Sequence, residues 1–150
     1  MRNALAANRV AIAFAMAVVT CLSSAAFAQA PAAPAPSLER LMGQINRSYR
    51  QVKAQVSDKA QNAKTLEALV TMETAAITAK GLVPPSVAKL AEAERPAKLA
   101  EYRKQMANLV TAMLQMEQDL LADDNAKAAQ MVAKLDDIEK QGHAAFRPEE

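Results

Sequence analysis

The sequence predicts an all-α fold, an up-down-up-down antiparallel four-helix bundle, on three observations. From Leu38 to Phe146 apolar residues recur at helical spacing, glycine and proline are scarce, and strand-like runs of β-branched residues are absent. Four such segments can be placed, and two of the three links between them are short, which forces antiparallel neighbours. A longer link between the second and third can join them in the same sense.

The first helix is expected from Ser37, a good N-cap, to about Val56, with Leu38, Leu41, Met42, Ile45, Tyr49, Val52 and Val56 on one stripe. The second follows Asn62 and carries Leu66, Leu69, Val70, Glu73, Ala76 and Ile77, with Gly81 ending it at a left-handed cap. The connector from Leu82 to Arg95 includes Pro84-Pro85 and has room for a short helical turn. The third helix begins near Pro96, suited to a first-turn position, and shows Leu99, Tyr102, Met106, Leu109, Val110, Met113 and Leu120. Asp124 or Asn125 can cap the fourth, which carries Ala128, Met131, Val132, Leu135, Ile138 and Phe146. Helices of about 20 residues are about 30 Å long and marginal alone, so the stripes must face one another.

Two segments precede the bundle. Residues 1–28 read as a secretory signal peptide, with Arg2 and Arg9 in the n-region, an apolar run from Val10 to Val19, and an Ala26-Phe27-Ala28 cleavage site. The apolar run is short for a membrane span, which needs about 20 residues. Residues 29–37 are rich in proline and alanine and read as an extended tether, leaving 38–147 as the folded domain. Export implies a periplasmic protein with no membrane span in the mature chain.

Processing changes the chemistry available. The 18 Lys and Arg residues lose Arg2 and Arg9, leaving 16 against 16 acidic residues that all follow the leader. A neutral chain without a clustered basic surface argues against nucleic-acid binding. The single cysteine, Cys21, leaves with the signal, which removes disulfides and a covalently attached c-type haem. One histidine cannot build the paired Glu-x-x-His sites of a di-iron bundle, and three glycines form no phosphate loop. No nucleophile-elbow pattern is present either, and no enzyme is expected.

In the predicted topology the start of the first helix and the end of the fourth share one end of the bundle. Met42 and His143 therefore converge with Ile77, Tyr102, Met106 and Phe146. A thioether sulfur and an imidazole nitrogen at one bundle end can hold one haem iron from both sides. The plain alternative is that Met42 is core filler, His143 a half-exposed histidine at a helix end, and Arg147 a solvated charge.

Several stretches, in order, resemble the soluble cytochrome b562 family: Leu38-Glu39-Arg40-Leu41-Met42 with Ile45-Asn46, Met72-Glu73-Thr74-Ala75-Ala76, Pro84-Pro85, Tyr102-Arg103, and His143-Ala144-Ala145-Phe146-Arg147. That family is itself a known example of the up-down-up-down bundle. The resemblance implies non-covalent haem b with Met42 and His143 as axial ligands. It places Tyr102 and Met106 where the family has pocket phenylalanines, which implies a more flexible and slightly more polar wall. Phe146 stands where the family has a tyrosine, and Arg147 matches an arginine near the haem edge. Arg147 can pair with a propionate, as can Arg40 or Arg103 if they face the opening.

Two strong axial ligands favour electron transfer over oxygen or peroxide chemistry, and a thioether raises the potential relative to a second imidazole. The ligating imidazole must be neutral, so acid is expected to weaken haem binding. The expected function is electron transfer with unidentified redox partner proteins, by a monomer. The alternative is a haem-free periplasmic bundle that binds proteins or acts in envelope stress through its Met-rich face.

Overall fold

A computed structural model describes residues 36–147. The expected signal peptide at 1–28 and most of the tether lie outside the described residues. The helices are α1 (Leu38–Gln55), α2 (Asn62–Lys80), the single turn α3 (Pro85–Ala88), α4 (Arg95–Leu121) and α5 (Asn125–Phe146), with a 3₁₀ turn at Lys59–Gln61. No strand occurs among the described residues. The architecture is the predicted four-helix bundle, with α3 as the helical turn in the connector.

Local chemistry starts and stops each helix. The Ser37 hydroxyl accepts from the Arg40 N–H at 3.2 Å and caps α1, and Asp124 accepts from the Lys127 N–H at 3.1 Å to cap α5. Pro96 lies in the first turn of α4, where its missing N–H costs nothing. The α4–α5 corner turns at Asp123, whose φ of 58° is left-handed, a conformation aspartate tolerates better than most residues. Gly81 corrects one expectation: its φ of −76° is right-handed, and α2 ends by a tightening last turn in which Gly81 N–H bonds Thr78 O.

Polar ties set the antiparallel order. At one end the Asn125 amide donates to Val56 O and to Asn62 Oδ1, both at 2.7 Å, joining the end of α1 and the start of α2 to the start of α5. At the other end Tyr102 donates to Ala79 O at 2.8 Å, and Ser86 donates to Phe146 O at 2.7 Å. Between these ends α2 packs against α1 and α4, and α4 against α5. The core includes Leu69, Met72, Met113, Met116, Leu120 and Leu135, all essentially inaccessible to solvent. Each contributes about 1.5–3 kcal/mol by burial.

Helix α2 departs from its predicted stripe. Serving two neighbours, it buries Ala68, Ala75, Ala76 and Ala79 beside Leu69 and Met72. Val70 and Ile77, expected inside, are 48% and 56% exposed. Small side chains allow close helix approach, so geometry selects the alanine face over the more hydrophobic one.

Candidate functional site

The bundle is not filled evenly. The closely packed helix pairs do not include α1 with α5, and a cavity of about 470 Å³ opens where these two helices face each other. Below it Tyr49 of α1 donates to Asp136 Oδ1 at 2.7 Å and to Val132 O at 3.0 Å, and Lys53 pairs with Asp136 at 2.9 Å. These ties close the lower part of the α1–α5 gap and leave the upper part open. Burial and the Asp136 carboxylate push the Tyr49 phenol well above its ordinary range, so it remains a neutral donor.

The cavity lies at the bundle end that the sequence singled out. Met42, Tyr102, Met106, His143, Phe146 and Arg147 all line it. Met42 is half-buried, whereas His143 is exposed on the rim. Ile77 was expected here and is absent, because it points outward from α2. Arg40 and Arg103, the other proposed propionate partners, do not line the cavity; Arg147 does.

Tyr102 and Phe146 form one wall, edge to face with ring centres 5.4 Å apart. A tyrosine here was expected to make the wall more polar. Its hydroxyl instead donates to Ala79 O, and burial pushes its pKa up to about 12, so the polar end is already satisfied by α2. The Lys98 ammonium stands 4.9 Å from the Phe146 ring centre while pairing with Glu101 at 2.9 Å.

Several lining residues were not assigned to a site from sequence. Tyr49, Leu109, Leu135 and Ile138 were legible as core positions, and only the gap between α1 and α5 turns them into a lining. Glu139, one turn before His143, also lines the cavity and carried no signal beyond that spacing. Gly43 and Gly142 sit next to Met42 and His143 and line it too. Glycine inside a helix costs about 0.5–1 kcal/mol relative to alanine, so two such positions flanking the candidate ligands are a signal. A Cβ at Gly142 would meet nothing within 4 Å, and one at Gly43 would meet only the Arg47 side chain at 3.4 Å. Their missing side chains widen the space instead of relieving a clash.

This donor set fits a haem. A thioether and an imidazole reach one cavity from different helices, the lining between them is mainly apolar, and its volume lies within the usual range for small-molecule and cofactor sites. Among the described residues no helix is long and apolar enough to cross a membrane. No curated protein matches the chain. The family model for cytochrome b562 matches residues 37–147, and the chain belongs to the cytochrome b562 family, a family of haem-binding, electron-transfer helical bundles.

Proposed function

We propose that this protein is a periplasmic electron carrier that binds one non-covalent haem b, with Met42 and His143 as its axial ligands. The observation that carries this reading is that a thioether and the chain's only histidine, about a hundred positions apart, line the same apolar cavity. When bound, the haem supplies reversible one-electron chemistry at iron.

The protein's own residues have separable tasks. Met42 and His143 would hold the haem iron through a thioether sulfur and an imidazole nitrogen, and two such strong ligands would suit electron transfer better than substrate chemistry. Met106, Leu109, Leu135 and Ile138 supply apolar surface, worth about 25 cal/mol per Å² withdrawn from water. The Tyr102–Phe146 pair stiffens one wall, and the Tyr49–Asp136–Lys53 tie sets how far α1 and α5 can separate. Arg147 on the rim offers a bidentate partner to a propionate. Residues 1–28 direct export and are removed, residues 29–37 act as a tether, and 38–147 form the haem-binding domain. Donor and acceptor are redox proteins that approach the exposed His143 side of the cavity.

Haem titration of the purified protein tests this. The expected result is saturation at one haem per chain with sharp low-spin bands on reduction. His143→Ala should abolish those bands, and Met42→Ala should shift them to a five-coordinate or water-ligated form. A spectrum that stays that of free haem would overturn the reading and favour a haem-free, protein-binding bundle.

A further inference from the structure

One carboxylate in the cavity has no structural task. Besides the candidate ligand His143, the charged residues that line it are Glu39, Glu139 and Arg147. Glu139 is half-buried, and it joins none of the four ion pairs among the described residues. Asp136, one turn earlier on α5, is by contrast fully engaged: it accepts from Tyr49 and pairs with Lys53.

Helix geometry fixes which side of the site Glu139 occupies. It stands four residues before His143, and Arg147 stands four residues after it. Each is therefore one turn from His143 on the same face of α5, about 6 Å along the axis in opposite directions. Because α1 runs antiparallel to α5, Glu39, three residues before Met42, lies toward the Arg147 end. The exposed Glu39 and Arg147 bring opposite charges to that end. On the other side, toward the middle of the bundle, the lining is Ile45, Asn46, Tyr49, Leu135 and Ile138, and Glu139 is the only charged side chain among them.

The cations of α1 leave that charge uncompensated. Arg50 donates to Asn46 Oδ1 at 3.3 Å, Lys53 is held by Asp136, and Arg47 lies against Gly43; none of the three lines the cavity. The Glu139 charge is felt inside it, since it adds to the effects of burial and Asp136 that keep the Tyr49 phenol protonated.

If haem binds between Met42 and His143, as proposed above, both ligands are neutral. Loss of one electron to a partner protein then adds one positive charge to the iron–porphyrin unit. A fixed negative charge one turn from the ligating histidine attracts that added charge, and a mainly apolar lining screens the attraction less than water does. We propose that Glu139 sets the redox balance of the bound haem: its carboxylate stabilises the oxidised form and lowers the reduction potential, opposing the rise that the Met42 thioether brings.

Spectroelectrochemical titration of the haem-loaded parent and three variants tests this. Glu139→Gln keeps the shape and removes the charge, and should favour the reduced form by about tenfold, which is about 59 mV for a one-electron couple. Glu139→Asp keeps the charge and should stay within about twofold of the parent, whereas Glu139→Lys should move further than Glu139→Gln in the same direction. The gap between parent and Glu139→Gln should narrow at high salt, because a half-exposed charge is screened and a packing defect is not. Helix content and low-spin bands should be unchanged in every variant, which separates loss of charge from loss of the fold or of the ligands. Parental potentials in Glu139→Gln and Glu139→Lys, with those bands intact, would overturn the assignment and leave the haem reading standing. Absence of low-spin bands in the haem-treated parent would overturn both.

Discussion

Glu73 is buried where an ionised carboxylate has no compensation. Desolvation, followed by the charge of Glu117, pushes its pKa from 4.5 up to about 7. The sign of the stability effect follows from proton uptake. Between pH 4.5 and about 7 the folded chain holds a proton that the unfolded chain has released, so stability falls as pH rises through that window and levels off above it. The total loss is at most about 3 kcal/mol. Glu73→Gln, which stays neutral, should melt higher than the parent at pH 8 and lose most of this slope. Thermal melts from pH 4.5 to 8 at low protein concentration check it, and a parent profile that rises across the window would contradict the assignment. The sequence placed Glu73 on the inner stripe of α2 by period alone. That the stripe's edge meets Glu117 depends on how α4 packs, which no local pattern encodes.

Among elements, the junctions proved more decisive than the helices. The Asn125 amide is the common partner of Val56 O and Asn62 Oδ1, so one side chain fastens three helix ends. Asn125→Ala leaves both acceptors without that donor in a half-buried corner and should cost about 1–3 kcal/mol. Denaturant unfolding measures this, and a loss much below 1 kcal/mol would mean that water replaces the amide. From sequence, Asn125 was one of two possible caps for the last helix; the structure gives the cap to Asp124 and the corner to Asn125. Helix α2 carries a similar lesson. Its period was read from bulky residues, and two of those face solvent because an inner helix with close neighbours favours alanine at the contacts. Gly81, expected in a left-handed cap, sits in a right-handed turn because Leu82 continues the tight hydrogen bonding through Ala79 O.

For the whole molecule, the gap between α1 and α5 is where stability and function meet. A cavity of about 470 Å³ in a bundle of this size forgoes packing that the other helix pairs enjoy. A ligand that binds only the folded state restores it by mass action, by about 4 kcal/mol at a thousandfold excess over its dissociation constant. Haem addition should therefore raise the melting temperature of the protein, and His143→Ala should reduce that rise while leaving the haem-free melt nearly unchanged, since His143 is exposed. Calorimetry with and without haem separates the two, and an equal rise in the variant would argue against His143 as a ligand.

By itself the sequence determined the helix count, most helix boundaries, the bundle topology, and the six candidate residues that line one cavity. Those features rest on local chemistry: apolar period, capping groups, proline in a first turn, and links too short to allow parallel neighbours. The tertiary structure alone decided which face of α2 is inside, where the Tyr102 hydroxyl is spent, and which arginine reaches the cavity. It also brought the Glu117 charge close to the buried Glu73. Each of these depends on the rotation and spacing of one helix against another, and that geometry comes from side-chain volumes summed over the whole core.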